Sequence, residues 1–462
     1  MKSRLTQLIY LSACLFVMGS CGIYNRYSRP EVQVDGLYRD AGAAADTTSS
    51  LASLPWEQLF TDTCLQSLIR EGLASNTDLN VARLKVKEAQ ASLLSSKLAF
   101  LPSLQLEPQG SLSSFDGSKP SKTYNLGASA SWEVDIFGKL TNAKRSAKAY
   151  LEQSDAYRQA VQTQLVATIA ESYYSLLMLD EQVTISTQTV ESWQEYVRSL
   201  RGLMKAGSAD RSDLNQAEAS RLETEASLLD LKQQVSELEN SLSVLLGRVP
   251  GTIERGQLDG REFPEQLAVG VPLELLSRRP DIRQAESSLE QAFYATNQAR
   301  SAFYPSITLS GSAGWTNSGG TAITNPGAWL LQAVGSLVQP LFNKGKNIAN
   351  LQIAKAQQEE ALLSFRQALL DAGNEVNNAL VQWQTSREKA GLDAQQVERL
   401  TEVVHDTALL MEHGTVNYLQ VLSARQSLLA AQLTLAADKY GEIQGVISLY
   451  HALGGGAGPA SR

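Results

Sequence analysis

Residues 123–135 read TYNLGASASWEVD, and the rest of the chain is best read outward from them. Tyr124, Leu126, Ala128, Ala130, Trp132 and Val134 point one way, while Asn125, Gly127, Ser129, Ser131, Glu133 and Asp135 point the other. Alternation with period two predicts a strand with one apolar and one polar face. About a dozen residues also suit a tilted membrane-crossing strand, which needs roughly 9–11. A small soluble sheet packed on helices would show the same alternation. Aromatic residues near the predicted strand ends (Tyr124, Trp132, Trp315, Trp329) favour the membrane, where interfaces collect such rings.

The stretch belongs to a repeated unit. Residues 99–106 read AFLPSLQL and residues 302–309 read AFYPSITL, with their prolines 305 − 102 = 203 positions apart. Residues 103–115, carrying Leu104, Leu106 and Leu112, supply a partner strand; with the quoted one it occupies about 103–136. In the second half, Ile307, Leu309, Gly311, Ala313 and Trp315 alternate with Thr308, Ser310, Ser312 and Gly314, and residues 328–339 give a fourth strand that is apolar on both faces. The two strands there occupy about 306–340. The connections, residues 115–122 and 316–327, are rich in Gly, Ser, Asn and Pro, as exposed turns are.

Each pair closes on a turn at Phe137 or Phe342 and then runs into a very long helical stretch. Residues 139–206 hold no Pro and only Gly202 as an interior Gly; about 68 residues at 1.5 Å each reach roughly 100 Å. Residues 346–412 are the counterpart, with Gly373 and Gly391 as weak points. Return helices follow at 210–246 and 417–453. Leu165, Ile169, Tyr173 and Leu176, and likewise Leu362, Leu369, Val376 and Leu380, predict coiled-coil packing. Shorter helices are expected at 56–73 and at 78–99, the latter with Leu79, Ala82, Val86, Ala89 and Leu93 on one face. The chain therefore divides into a first repeat at 56–250, a connector at 251–273, a second repeat at 274–454 and a tail at 455–462.

The start of the chain is a targeting segment. Lys2 and Arg4 precede an apolar run from Leu8 to Met18 that is too short to span a bilayer, and Met18-Gly19-Ser20-Cys21 follows. This pattern resembles a bacterial lipoprotein signal, residues 1–20, with Cys21 as the acylated N-terminus of an extended segment 21–55. An ordinary secretory signal beside a chance Cys is the other reading. Gly22 in place of Asp points to the outer membrane.

Charge and residue counts exclude several classes. Without the leader, 38 basic residues face 48 acidic ones, about −10, which argues against nucleic acid. Cys14, Cys21, Cys64, His405, His413 and His451 show no metal or haem spacing. No nucleophile–base set or phosphate loop is framed, so neither enzyme activity nor a cofactor or metal is expected. Arg278-Arg279-Pro280-Asp281 reads as a helix start with structural ion pairs.

Four strands cannot close a barrel, and open edges are excluded from lipid. Neighbouring copies must complete the sheet. Three copies give a shared 12-stranded barrel wide enough for water; two or four would also close. The expected fold is mixed α and β, a β-barrel continued by a long periplasmic α-helical coiled-coil barrel.

Residues 275–315, with Arg278 to Arg283 at their head, closely resemble the signature stretch of the TolC-like outer-membrane factor lipoproteins of resistance–nodulation–division (RND) efflux systems. Val338-Gln339-Pro340-Leu341-Phe342 and Asn417-Tyr418-Leu419-Gln420-Val421-Leu422 resemble two further motifs of that family. The resemblance implies a homotrimeric channel-tunnel in the outer membrane, docked on a periplasmic membrane-fusion adaptor and an inner-membrane RND pump, that exports small toxic compounds passively. A type I protein secretion duct and a pore-free envelope-spanning lipoprotein are the alternatives. It also implies a periplasmic gate near Gly414 to Ser427. Members often carry Leu-Asp-Ala-Gln-Arg there, whereas this chain reads Leu422-Ser423-Ala424-Arg425-Gln426. An acidic gate at Ser423 is thereby put in doubt. Asn417, Gln420, Ser423 and Ser427 still share one helical stripe that could line a pore. In the first half, Asp213 and Asp210 occupy the equivalent turn; they either ring the pore or complement a helix dipole.

Overall fold

The computed structural model describes residues 26–31, 37, 54–207, 209–258, 279–317, 328–413 and 418–455. The elements run α1 (Trp56–Leu59), α2 (Thr63–Ser75), α3 (Thr77–Leu98), β1 (Ser103–Ser113), β2 (Ser121–Val134), α4 (Lys139–Lys205), α5 (Arg211–Leu245), α6 (Pro280–Ser301), β3 (Ser306–Asn317), β4 (Ala328–Val338), α7 (Lys346–Glu412) and α8 (Tyr418–Ala452).

The duplication holds to the residue in helix length. α3 and α6 have 22 residues each, α4 and α7 have 67, and α5 and α8 have 35. Before the hairpins the halves are offset by 280 − 77 = 203 residues; after them the offset is 346 − 139 = 207. The stretch between these helices is therefore four residues longer in the second half.

All four expected strands form one antiparallel sheet of order β1-β2-β3-β4. Its register keeps the two faces distinct. Leu104, Leu106 and Pro108 stand opposite Ala130, Ala128 and Leu126. Those in turn face Gly311, Ala313 and Trp315, while Trp132 and Val134 face Leu309 and Ile307. Directly opposed residues share a face, so one side of the sheet is apolar across all strands. The other side carries Ser103, Gln105, Glu107, Asn125, Ser129, Ser131, Thr308, Ser310 and Ser312. β4 is apolar on both sides because Val334 and Val338 stand opposite Ser310 and Ser306. The apolar face is bare in a single copy: Leu104 is 80% exposed and Leu331 84%. β1 and β4 each have one unpaired edge. Bare apolar residues and open edges together require lipid and neighbouring copies.

The expected helix at 56–73 is two helices. Phe60 leaves the helical region at φ −100°, ψ 95°. Asp62 then caps α2, its side chain accepting from the Cys64 N–H at 2.8 Å. A good cap interrupts the apolar periodicity that made the segment look continuous. Gly373 and Gly391 do not weaken α7, which is unbroken. At Gly373 a Cβ would collide with the Leu37 side chain, so the missing side chain admits a neighbour.

Two compact units appear. One comprises residues 1–32, 84–156 and 283–367; the other comprises 33–83, 157–282 and 368–462. The first holds the sheet. In it Arg29 grips Glu286 through two bonds of 2.6 Å, and the Tyr27 ring meets Phe293 edge-on at 5.7 Å. The second holds the main core, where Leu165, Ile169, Tyr173 and Leu176 of α4 and Val376 of α7 are buried with Val446, Ile447 and Tyr450 of α8. Leu369 is also buried, and Leu362 and Leu380 are partly so. On α3, Leu79, Ala82 and Ala89 are buried, yet Val81, Leu84, Leu94 and Leu98 form a second, exposed apolar stripe. Among the described residues no helix is long and apolar enough to cross a membrane.

Candidate gate at the helix turn

The site is built where α4 ends and α5 and α8 begin, within the second unit. α4 stops at Lys205, and Gly207 turns the chain at φ 77°, a conformation that favours glycine. Asp210 then caps α5. Its side chain accepts from the Arg211 N–H at 2.6 Å, and the Asp213 carboxylate accepts from the Asp210 N–H at 3.1 Å. This is a capping box, with an acid in the first turn as the dipole favours. Both Asp side chains thus have a local structural task. Asp213 has a second one: the Tyr418 hydroxyl donates to it, which raises the Tyr418 pKa. The half-buried Asp213 therefore ties the starts of α5 and α8 together.

Beneath this tie lies a small core of its own. Trp193, Tyr196, Val197 and Leu200 of α4, Leu214 and Ala217 of α5, and Val421 and Leu422 of α8 are buried together. The Tyr196 hydroxyl lies 3.3 Å from the Tyr418 carbonyl and 3.6 Å from the Met411 sulfur, either of which can accept its proton. Burial pushes the Tyr196 phenol up to about 12. Gln426 donates to Ser220 Oγ at 3.2 Å, and Arg201 pairs with Glu218 at 2.5 Å. Arg425 bonds the Ser192 carbonyl and hydroxyl and lies over two rings, 5.1 Å from the centre of Tyr196 and 5.9 Å from that of Trp193.

Of the stripe expected to line a pore, Gln420 and Ser423 are exposed on α8 with Ser427, opposite the buried Val421, Leu422 and Ala424. Asn417 and Cys21 lie outside the described residues. Sequence reading missed the Trp193–Tyr196 pair and the inward turn of Arg425. The available signals were two aromatic residues at helical spacing on α4, and a lone charge: between Tyr418 and Ala437 only Arg425 is ionisable as an acid or strong base.

The Arg279 region is structural, as the sequence suggests. Pro280 opens α6. Arg279, only 4% exposed, donates to Asp281 at 2.7 Å, Glu375 at 2.6 Å and the Ala452 carbonyl at 2.6 Å. A cleft of about 500 Å³ beside it is lined by Asn76, Tyr157, Thr168, Arg279, Glu375 and His451. Four hydrogen bonds hold the guanidinium, three of them to the carboxylates of Asp281 and Glu375. Among the described residues no three His, Cys, Asp or Glu gather to hold a metal ion.

The chain is similar to known proteins over nearly all its length. The profile of a family described as outer membrane efflux protein matches residues 68–248 and 271–455. The cation efflux system protein CusC of Escherichia coli O6:H1 is 30% identical over 442 residues, covering 94% of this chain and 96% of CusC. The toluene efflux pump outer membrane protein TtgC of Pseudomonas putida is 29% identical over 469 residues, covering 97% of this chain and 95% of TtgC. The crystal structure of the open state of the Neisseria gonorrhoeae MtrE outer membrane channel superposes with a TM-score of 0.84 at 29% identity, covering 94% of this chain and 98% of that one.

Proposed function

The chain belongs to the outer membrane efflux protein family, and from that premise we propose how it works as an exit duct. It is a trimeric outer-membrane channel of an RND-type efflux system, the outermost part of a tripartite assembly with an adaptor and a pump. The sheet carries this reading: its apolar face is bare, both of its edges are open, and each hairpin leads directly into a 67-residue helix. Three copies of four strands supply twelve, enough to enclose water.

Transport through the duct is passive, with energy supplied by the inner-membrane pump. Cys21 carries the acyl anchor, which contributes about 0.8 kcal/mol per buried CH₂. Adaptor hairpins press on the turns around 206–213 and 412–418 and open them. Gln420, Ser423 and Asn417 line the narrowest point, and Asp213 holds its rim. CusC is named for cations and TtgC for toluene; the uncharged stripe on α8 favours small neutral compounds here. The family is one of channels rather than enzymes, and this chain performs no catalysis.

Planar-bilayer recording of the purified trimer tests the reading. Replacing Gln420 and Ser423 together with Gly should raise single-channel conductance. Unchanged conductance counts against the gate placement; a stable monomer counts against the duct. Deleting the gene and profiling sensitivity to dyes, solvents, drugs and metal ions identifies the cargo.

A further inference from the structure

The end of the sheet that meets the long helices is rich in cations and poor in acids. From residue 291 to residue 358 the chain holds Arg300, Lys344, Lys346 and Lys355 but no Asp or Glu. From 136 to 151 it holds Lys139, Lys144, Arg145 and Lys148, again with no acid. No acid stands in the first turn of α4 or α7, where the helix dipole would favour one. The two carboxylates at the end of β2 are already engaged: Glu133 pairs with Lys139 at 2.8 Å, and Asp135 accepts from the Leu140 and Thr141 N–H groups. Lys97, Lys144, Lys344 and Lys346 are exposed, and among the described residues none of the four has an acidic partner. Lys97 lies in the last turn of α3 and Lys344 and Lys346 follow β4, while Lys144 lies about 8 Å into α4. The apolar face of the sheet ends in aromatic rings at the same level. Trp132, on that face, donates its indole N–H to the Phe100 carbonyl at 2.9 Å, and the Lys144 ammonium lies 5.8 Å from the centre of the Phe100 ring. Phe137 stacks on Tyr304 at 5.1 Å, and Leu341 and Phe342, 92% and 86% exposed, lead into Lys344. Rings in this position mark the headgroup zone of a bilayer.

We propose that Lys97, Lys144, Lys344 and Lys346 form a collar that binds the anionic headgroups of phospholipids in the membrane leaflet facing the periplasm. The inference goes beyond the duct reading and rests only on the place of the sheet in the outer membrane. Continuity and charge name the occupant. The bare apolar face of the sheet lies in lipid, and the collar is its direct continuation, so headgroups are what meet it. A lysine lays its stem along apolar surface and carries its ammonium into that zone. An anionic phosphate there finds a free cation and, with no unengaged carboxylate beside it, little repulsion. A zwitterionic headgroup brings its own cation and gains less. Each lysine near an anionic surface favours association by about fivefold. The collar thus fixes the depth at which the sheet sits and the level at which the helices leave the bilayer.

The test uses full-length trimers in phosphatidylcholine vesicles that hold a trace of spin-labelled phosphatidylglycerol or spin-labelled phosphatidylcholine, with the heat-labile trimer band on gels as the check of assembly. Electron spin resonance reads how strongly each label associates with the protein. Averaged over all the lipid sites around the sheet, the wild type should prefer phosphatidylglycerol by about twofold to fivefold at low salt. The preference should fade towards one as KCl rises from about 0.1 M to about 1 M and the Debye length falls from about 10 Å to about 3 Å. The quadruple variant Lys97→Gln, Lys144→Gln, Lys344→Gln and Lys346→Gln should bring the ratio close to one at low salt. Lys119→Gln with Lys122→Gln, at the opposite end of the sheet, should keep the wild-type ratio. A wild type without preference overturns the proposal and leaves the lysines to an acidic protein face. A preference that survives in the quadruple variant overturns it too, as does one that the Lys119 and Lys122 changes abolish. If the quadruple variant fails to assemble, Lys344→Gln with Lys346→Gln decides, and a wild-type ratio there overturns the collar. Trimers that conduct but show no lipid preference keep the duct and lose the collar.

Discussion

α5 and α8 are the same element in two copies of one unit, 35 residues each, yet their surfaces have parted. From Arg211 to Asp230 there are seven charged residues; from Tyr418 to Ala437 there is one. α5 displays Arg211, Glu223 and Asp230 to solvent, whereas α8 displays Gln420, Ser423, Ser427 and Thr434. The two helices have also parted at their far ends. α8 is fastened through its Ala452 carbonyl to the buried Arg279, while the loop after α5 is fastened by the half-exposed pair Arg248–Glu71 at 3.3 Å. Equal length preserves the repeat, and unequal chemistry assigns the roles. The charged copy suits a wetted outer wall that a partner can read. The neutral copy suits a face past which uncharged cargo can slip.

This contrast can be attacked at its strongest point first. Arg279→Ala removes a buried guanidinium from the half-exposed carboxylates of Asp281 and Glu375 and should cost about 1.5–3 kcal/mol, whereas Arg248→Ala should cost at most about 1 kcal/mol. Thermal melts of the two variants should differ widely, and equal melts would show that the two helix ends are fastened alike. Asp210→Ala removes the α5 cap and should cost about 1 kcal/mol, read as a lower denaturant midpoint.

Acid should act on the α8 end. The pKa of His451 is lowered by burial and by the Arg279 charge, so the folded chain resists a proton that the unfolded chain takes up near pH 6.5. Stability contributed by this site is thus lost as pH falls below that value. Asp281 titrates low despite its burial, because Arg279 bonds it and offsets the desolvation. Its contribution is present above about pH 4 and disappears only in stronger acid. His451→Gln should therefore flatten the stability profile between about pH 7 and 5 and leave the steeper acid limb in place. The smallest effect belongs to Glu223→Gln on the exposed face of α5, expected within about 0.5 kcal/mol; a larger drop in melting temperature would show that this face is covered.

Much of this was legible in the sequence for a simple reason. A strand with period-two chemistry keeps apolar residues opposite apolar residues only in registers that differ by even steps, so the pattern decides the face that Leu106, Ala128 and Ala313 share but not their exact pairing. Long helices without Pro announce themselves as plainly. The Phe60–Asp62 break was hidden because a cap costs one residue and barely disturbs apolar spacing. The candidate gate was harder still. Periodicity shows that Tyr196 and Val421 are apolar, but not which helices they join. An arginine in a polar stretch reads as solvated until two rings are found beneath it. The exposed stripe Val81, Leu84, Leu94 and Leu98 on α3 has the same origin: spacing shows that a residue is apolar, but not whether its own chain covers it.

The open edges of β1 and β4 carry a genetic consequence. Each copy joins the next through two different edges, head to tail, and the ring closes only when every join is sound. A proline placed on β4, which carries none, would spoil not only its own copy but any ring that admits it. In a cell making both versions equally, about one ring in eight would be free of the damaged subunit if mixing is random. Such an allele should behave as dominant over the normal one, a phenotype that a self-sufficient barrel could never show.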